Sequence, residues 1–480
     1  MLINLINKYR SMAVQAKAGI WFIFCSFMQK GISFITVPIF TRMMSKEEYG
    51  TYSLYLSWLQ IITIITSLNL FNGVLDNGMS KYEEDRDRFI SSMQGLTITI
   101  TTFIFGVYLI FCNMWSKLLG LSPVYIVLMF IEMYFRPSLL FWSGRQRFEY
   151  KYKRLVAVTI AKSVLNPLLG LFLVMIMQDR ALGRVISIVV IEVAFCIVFF
   201  SFQFVKGKTF FDSFYWKYGI KLAIPMLPHY LSGMILNQGD RIMIEKMVNK
   251  SAVAIYSVAY SIGMLIQMFT SAINSAITPW VYSKMKSNDN SGVPKMFNGL
   301  LVFVAGISIC LMVISPELMM IFGDEDYLDG AYVIPPVAAS VYFIFLYYLF
   351  SLPQFYFEKT KFLFTASLIS AVVNLLLNFV FIRMYGYYAA GYTTLVCYIL
   401  YSIGHYIVSR VVLKNNMDNK KLFDEKVIIF ISSILVACCI LVNFIFDYPI
   451  IRYCIVLFGM MIAFYKRKEI LRMFSKKKVA

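Results

Sequence analysis

Ionisable side chains stand inside long apolar stretches of this sequence, where water would not surround them. A charge at bilayer depth costs roughly 2.5–3.5 kcal/mol, so each such residue needs a partner or a wet cavity. Basic residues in a cavity can bind phosphate or carboxylate, and acidic residues can bind a proton or a sodium ion. The candidates for binding an anionic substrate are Lys30, Arg136, Lys162 and Arg241. The candidates for ion coupling are Glu132, Glu192 and Asp240.

Several of these residues also have a simpler structural explanation. Glu132 and Arg136 stand four residues apart, so they share one helix face and can form an internal salt bridge. Lys30 lies near the middle of its apolar stretch with no acid nearby in the chain, which favours a cavity-facing position. Lys162 lies nearer the inner side and could instead reach the membrane surface.

The seventh apolar stretch leaves two further alternatives open. Asp240 and Arg241 can simply end this stretch at the outer membrane surface. His229 follows Pro228, so it either marks a broken helix that exposes backbone to a cavity or is an ordinary buried histidine.

The elements that carry these residues are predicted to be transmembrane helices. The mean hydropathy is +0.70 and 59% of the residues are hydrophobic, which excludes an ordinary soluble protein. Apolar runs of about 20 residues, long enough to cross the bilayer, follow one another along the chain. We predict an all-α polytopic membrane protein with about fourteen spans: 18–40, 50–72, 89–111, 118–142, 155–177, 181–204, 220–244, 251–279, 297–316, 331–352, 362–383, 388–412, 427–446 and 449–465.

The distribution of basic residues predicts the orientation. Of the 45 Lys and Arg residues, 32 lie in the termini and the even-numbered connections and nine in the odd-numbered connections. Both termini are therefore predicted to face the cytoplasm. The net charge of +19 sits in these short loops, so we expect it to face anionic lipid and expect no binding of nucleic acid.

The chain also resembles itself at an offset near 204 residues. Lys46, Tyr52 and Ser53 recur as Lys250, Tyr256 and Ser257, and other polar residues match in the same register. Six spans per repeat put both halves in the same direction, as in the parallel repeats of some transporters. We predict a six-helix lobe over 1–215, a second over 216–413, and two additional helices with a basic cytoplasmic tail over 414–480, with a site between the lobes.

Enzyme motifs are missing from the sequence. It contains no P-loop, no GxSxG and no HExxH, and two histidines leave little room for metal or acid–base chemistry. We expect no catalysis, no metal and no cofactor. Coupling to a proton or sodium gradient, or to the membrane potential, stays open.

The first spans resemble a known family. Gln29-Lys30-Gly31, Thr36-Val37-Pro38 and Glu47-Glu48-Tyr49-Gly50-Thr51-Tyr52-Ser53 are similar to the Wzx-type polysaccharide flippases, whose superfamily also holds the MATE exporters and the MurJ-type lipid II flippases. The inner loop near Gly144–Lys153 is similar as well. The resemblance implies two six-helix bundles plus two helices, with basic residues lining the first lobe; Lys30, Arg136 and Lys162 match by helix position.

The resemblance also implies a function. Such a protein turns an oligosaccharide repeat unit on undecaprenyl pyrophosphate from the inner to the outer leaflet of the bacterial cytoplasmic membrane, for capsule, O-antigen or exopolysaccharide synthesis. Its expected partners are the lipid-linked oligosaccharide, membrane lipids, and the polymerase and glycosyltransferases of the pathway. A MATE-like exporter of cations is the alternative, which the excess of buried base disfavours. A polymerase would carry a long basic outer loop, whereas 316–330 is short and acidic; a non-transporting scaffold would not need charges inside the membrane.

The predicted parallel repeat can be tested by cysteine labelling. Single cysteines placed at 149 and 357 lie in corresponding inner loops, so a membrane-impermeant thiol reagent should label both from the cytoplasmic side only. Labelling of the two positions from opposite sides would exclude a parallel repeat.

Overall fold

The computed structural model describes residues 11–359, 361–417 and 421–465, and these are almost entirely helical. Some of the basic residues that were counted for the orientation lie outside the described residues: Lys8, Arg10, Lys420 and those of 466–480. The chain divides into two compact units, 1–254 and 255–480.

Among the described residues, the first unit contains nine α-helices, the start of a tenth, and a short 3-10 helix (Glu83–Asp85). The α-helices are α1 (Val14–Met43), α2 (Lys46–Ser67), α3 (Val74–Lys81), α4 (Arg86–Ile110), α5 (Cys112–Leu119), α6 (Pro123–Phe148), α7 (Tyr152–Ile176), α8 (Arg180–Gly207), α9 (Ser213–Met247) and α10 (Lys250–Gly263). Helix α6 packs on α8, α7 packs on α8 and α1, and α9 packs on α2.

The second unit is built around one buried helix. Its elements are α11 (Ile266–Lys286), α12 (Val293–Val313), α13 (Ser315–Gly323), a 3-10 helix (Glu325–Val333), α14 (Ile334–Tyr356), α15 (Lys361–Tyr385), α16 (Tyr388–Asn416), α17 (Glu425–Leu441), a 3-10 helix (Val442–Ile445) and α18 (Pro449–Tyr465). Helix α14 is buried along most of its length and packs on α11, α12, α16 and α17.

The prediction of an all-α polytopic membrane protein is confirmed. A helix falls on each of the fourteen predicted spans. Within the described ranges, eleven helical segments are long and apolar enough to cross a membrane, and a shorter apolar helix covers Pro449–Gly459. Helices α2 and α9 are not among the eleven, since polar residues interrupt both. The count of fourteen crossings therefore stays a prediction.

Polar side chains at the helix starts define where several helices begin. Ser45 accepts a hydrogen bond from the backbone N–H of Glu48, and the Glu48 carboxylate accepts one from the backbone N–H of Ser45, which is a capping box at α2. At the starts of α8, α9 and α17, an aspartate side chain accepts a hydrogen bond from a backbone N–H of the first turn; these residues are Asp179, Asp212 and Asp424. These caps satisfy N–H groups that have no partner inside the helix.

The seventh span differs from its prediction. Helix α9 continues through Pro225 and Pro228 without a break, so the structure contains no broken helix at His229. The Ser57 hydroxyl of α2 donates a hydrogen bond to the side-chain oxygen of Gln238 on α9 at 3.1 Å. The Gln238 side-chain nitrogen donates in turn to the side-chain oxygen of Gln60 on α2 at 3.2 Å. Because of this packing α9 belongs to the first compact unit, which extends to residue 254. The division into 1–215, 216–413 and 414–480 describes the sequence repeat and stays a prediction.

The close approach of α4 to the 207–212 turn gives a stability prediction. A Cβ atom on Gly95 would lie 2.0 Å from the backbone oxygen of Phe210, whereas one on Gly106 of the same helix would meet nothing within 4 Å. Gly95→Ala should therefore cost about 1–3 kcal/mol or more through overpacking. Gly106→Ala should be neutral or stabilising by up to about 1 kcal/mol, because alanine is the better helix former.

Thermal unfolding of the detergent-purified variants measures this difference. A lower midpoint for Gly95→Ala than for Gly106→Ala is the expected result. Equal midpoints would show that α4 does not contact Phe210.

Candidate functional site

Four charged side chains from three helices of the first unit meet in one cluster. The Arg136 Nη1 atom donates to the Glu132 Oε1 atom at 2.8 Å, both on α6. The Lys162 Nζ atom on α7 donates to the Glu192 Oε2 atom on α8 at 2.5 Å. Each carboxylate interacts electrostatically with both cations. We call these four residues the charged cluster.

The two acids of the charged cluster are buried more deeply than the two bases. The Glu132 side chain is 1% exposed and that of Glu192 is 10% exposed, against 31% for Arg136 and 22% for Lys162. The fully buried Tyr55 of α2 lies behind Glu132 and donates its hydroxyl to the Glu132 Oε2 atom at 3.2 Å. The acids therefore hold the bases from the interior side, and the bases keep an accessible face.

That accessible face carries unused hydrogen-bond donors. A guanidinium has five N–H donors and an ammonium has three. Within the described part of the chain, Arg136 donates only to Glu132 and Lys162 only to Glu192. The remaining N–H groups of both residues are free to donate to a bound anion, and charge-assisted bonds of this kind are the strong ones.

The charged cluster lies near the middle of the helices that form it. Glu132 and Arg136 flank the midpoint of α6, and Lys162 and Glu192 lie near the midpoints of α7 and α8. For helices that cross a bilayer, these positions correspond to mid-membrane depth. The cluster contains two acids and two bases, so its formal charge is zero. It is more balanced than the cationic cavity that the sequence suggested.

Lys30 is not a member of the charged cluster but lies at the same level. Helix α1 packs alongside α7 in the same direction, with the Trp21 ring stacked on Tyr152 and Phe40 against Gly170. Equal helical rise then places Lys30 level with residues 160 and 161, next to Lys162 in height. Lys30 is exposed and has no ion pair with any described residue. Its predicted role in substrate binding stays a prediction.

Asp240 and Arg241 do not mark the end of α9. Both are buried, at 0% and 7% exposure, and α9 continues beyond them to Met247. The Arg241 Nη1 atom donates to the backbone oxygen of Asn237 at 2.9 Å. Both side chains therefore lie inside the first unit, and their position at the outer membrane surface stays a prediction. Their assignment to substrate binding and ion coupling remains untested.

Two buried arginines stand at the outer ends of the predicted spans 181–204 and 449–465 and were counted with the outer connections, so their burial was not recognised from the sequence. Arg184 of α8 is 7% exposed and donates to Asn166 at 2.6 Å. Arg452 is 4% exposed and is paired with Glu317 at 2.5 Å. Tyr55 was also missed. A charge near the end of an apolar run gives no sign of whether it is buried, so only the tertiary contacts show this.

Comparison with known proteins assigns the family. A model of the family described as "Polysaccharide biosynthesis protein" matches residues 16–286, which is more than half of the chain and includes the whole charged cluster. The chain belongs to this polysaccharide biosynthesis protein family. A second model, of the MatE family, matches residues 225–380.

Relatives and solved structures agree with the family. The Haemophilus influenzae protein named "Lsg locus putative protein 1" is 22% identical over 368 residues, which cover 72% of this chain and 85% of that protein. The lipid II flippase MurJ in an inward closed conformation matches with a TM-score of 0.74 and 15% identity, over 94% of this chain and all of that chain. A MATE-family multidrug resistance transporter of the MOP superfamily, inward-facing, matches with a TM-score of 0.64 and 13% identity, over 82% and 96%.

The structural matches show that this family member has the MurJ and MATE fold. The matches to the two family models, together with this fold, confirm the resemblance to the superfamily that contains the Wzx-type flippases, the MATE exporters and MurJ. At 13–15% identity the matches establish the fold alone. They do not identify a substrate.

The asymmetry of the charged cluster gives a stability prediction. Arg136→Met leaves the buried Glu132 without its cation, which should cost about 3 kcal/mol, at the low end for broken buried pairs. Glu132→Gln should cost about 1 kcal/mol or less, because Gln still accepts from Tyr55 and the partly exposed Arg136 can turn outward. The double variant should be more stable than Arg136→Met alone, because it leaves no unpaired charge.

Thermal unfolding of the three purified variants provides the double-mutant cycle. Additive effects of the two substitutions would contradict the ion pair.

Proposed function

We propose that this protein is a flippase for lipid-linked oligosaccharides. The proposed substrate is an oligosaccharide repeat unit on undecaprenyl pyrophosphate, moved from the inner to the outer leaflet by alternating access, for capsule, O-antigen or exopolysaccharide synthesis. The observation that carries the proposal is the pair of bases, Arg136 and Lys162, held at mid-helix by buried acids with donors left over. Membership of the polysaccharide biosynthesis family and the MurJ fold support it.

The charged cluster suits transient binding of a diphosphate. The Arg136 guanidinium can donate to two phosphate oxygens at once, and the Lys162 ammonium adds a point charge. Glu132 and Glu192 restrict where these two cations can move, so the donors are positioned before the anion arrives. Because the two carboxylates already neutralise part of the positive charge, an anion binds less strongly here than it would to unpaired cations. This limit favours release, which transport requires.

The acids also provide a candidate mechanism for coupling. Protonation of Glu132 or Glu192 would remove a negative charge from a balanced site and leave its cation free to bind an anion more strongly. Release of that proton would restore the ion pair and weaken the binding of the anion. Asp240, buried on α9, is the third candidate acid. A sodium gradient or the membrane potential would serve the same purpose, and no cofactor is needed for any of these.

A MATE-like ion-coupled exporter is the second candidate function. The match of residues 225–380 to the MatE family and the MATE fold favour it. The charged cluster favours it less. A cationic substrate needs accessible acids, whereas the Glu132 and Glu192 side chains are 1% and 10% exposed and lie behind their bases. An enzymatic role has no motif in the sequence to support it.

The proposed location is the bacterial cytoplasmic membrane, with both termini in the cytoplasm. Membrane lipids and the lipid-linked oligosaccharide are then the direct partners. The glycosyltransferases that assemble the repeat unit and the polymerase that extends it would act before and after this step.

Substitution of the basic residues tests the proposed function. Lys30→Ala and Arg136→Ala should each reduce surface polysaccharide by at least about tenfold, since a charge-assisted hydrogen bond contributes about 1.5–3 kcal/mol. Arg136→Lys should retain part of the export, because lysine keeps the charge but not the planar donor pair. Arg383→Ala is the matched control, since Arg383 is an exposed cation of the second unit that lies over Phe379.

All variants must reach the membrane in equal amounts, as measured by immunoblot of the membrane fraction. Surface polysaccharide is then measured in cells and lipid-linked oligosaccharide flipping in proteoliposomes. Normal export by Lys30→Ala, by Arg136→Ala and by the double variant would refute the proposal. Export of cationic drugs instead, lost in the same variants, would favour the second function.

A further inference from the structure

A second basic site lies in the first unit, at the helix ends that the excess of Lys and Arg assigns to the cytoplasm. A cavity of about 240 Å³ opens between the ends of α4, α6, α7 and α8. On α8 its lining changes from Val198 and Phe202 to Lys206 at the helix end, and on α6 from Trp142 to Arg145. The cavity is therefore apolar toward the middle of the helices and basic toward their ends.

The charges of this cavity are not balanced. It is lined by Arg145, Lys151, Arg154 and Lys206 but by one acid, Glu149. Burial acts against ionisation of Glu149, but hydrogen bonds from Lys151 and Arg145 outweigh it and hold the pKa of Glu149 below its usual value. Glu149 thus stays ionised at neutral pH and occupies those two cations.

The other two cations have no acid to pair with. Arg154 and Lys206 are exposed, and neither forms an ion pair with any described residue. The Lys206 ammonium lies 4.6 Å from the centre of the Phe202 ring, so it covers the apolar part of the cavity. These two residues leave a positive site beside an apolar surface at the helix ends, the depth at which lipid headgroups lie along a membrane-spanning helix.

Two buried glutamines add hydrogen-bond acceptors to the lining. Gln146 and Gln203 are 6% and 7% exposed, and their side-chain oxygens accept no hydrogen bond from the described residues. The Gln203 amide nitrogen donates to the backbone oxygen of Ser138 at 2.9 Å, which fixes the orientation of this side chain. A buried acceptor without a donor is costly, and a ligand with hydroxyl groups would satisfy it.

We infer that this cavity binds the headgroup of an anionic phospholipid with a hydroxylated headgroup, such as a phosphatidylglycerol. Its phosphate would accept hydrogen bonds from Arg154 and Lys206, and its glycerol hydroxyls would donate to Gln146 and Gln203. Its acyl chains would lie along Val198 and Phe202, which are 62% and 47% exposed. Basic pockets between transmembrane helices at the cytoplasmic side bind acidic headgroups in this way.

The size and the position of the cavity separate this site from the transport path. At about 240 Å³ it lies below the roughly 300–1,000 Å³ of sites for drug-sized ligands, so it accommodates a single small headgroup and not an oligosaccharide. Lys206 lies roughly 20 Å along α8 from Glu192 of the charged cluster. The inference therefore does not depend on the proposed function. A bound lipid would fasten the ends of α6, α7 and α8 together.

Lipid retention by the full-length protein tests the inference. The purified protein is exchanged into bilayer nanodiscs of phosphatidylcholine with a minor fraction of phosphatidylglycerol, and retained lipids are counted by native mass spectrometry. The wild type should retain one molecule of phosphatidylglycerol. The variant Arg154→Gln/Lys206→Gln should bind phosphatidylglycerol at least about tenfold more weakly, because it loses charge-assisted hydrogen bonds. Lys359→Gln/Lys414→Gln is the charge-matched control, since both lysines are exposed, lie on the same predicted side and do not line the cavity.

Two results would overturn the inference. Equal retention of phosphatidylglycerol by the wild type and Arg154→Gln/Lys206→Gln would show that the cavity does not select it. Displacement of phosphatidylglycerol by an equal amount of undecaprenyl pyrophosphate would assign the cavity to the transported lipid. Gln146→Leu/Gln203→Leu gives an independent measurement, because it should weaken the binding of phosphatidylglycerol without changing the charge of the cavity. Unchanged retention by this variant would count against the headgroup assignment.

Discussion

Charged side chains are costly in hydrocarbon, and four of them lie together near the middle of α6, α7 and α8. This is tolerable because Glu132 and Glu192 pair with Arg136 and Lys162, and Tyr55 donates to Glu132. The packing of α6 on α8 supports the arrangement: the Ser138 hydroxyl donates to the backbone oxygen of Cys196 at 2.9 Å, and the rings of Trp142 and Phe199 stack at 4.1 Å. The charged cluster and the tight packing of these helices therefore depend on each other.

The same pairing determines what the site can do. Unpaired bases at this depth would bind an anion tightly and release it slowly, whereas unpaired acids would select cations. A buried acid behind a partly exposed base gives a site that favours anions but holds them moderately. The cavity at the ends of α4, α6, α7 and α8 has a different balance, because Arg154 and Lys206 pair with no acid among the described residues. It is better suited to a resident lipid than to a transported one.

Much of the fold follows from the sequence, and only part of the site does. Apolar runs of about 20 residues locate the helices, and the four-residue spacing of Glu132 and Arg136 predicts their pairing. Both features depend only on residues that are close in the sequence. The pairing of Lys162 with Glu192 and the contact of Tyr55 with Glu132 depend on how separate helices pack, so spacing could not reveal them. The burial of Asp240 on an unbroken α9 was missed for the same reason, since prolines and charges suggested an interruption that tertiary contacts override.

The most direct test of this account is an experimental structure of the protein with an undecaprenyl-pyrophosphate-linked oligosaccharide bound in nanodiscs. The account predicts diphosphate oxygens within hydrogen-bond distance of the free N–H groups of Arg136 and Lys162, with Glu132 and Glu192 still behind them. A diphosphate bound elsewhere, with both bases facing acyl chains or enclosed without access to the substrate, would contradict it.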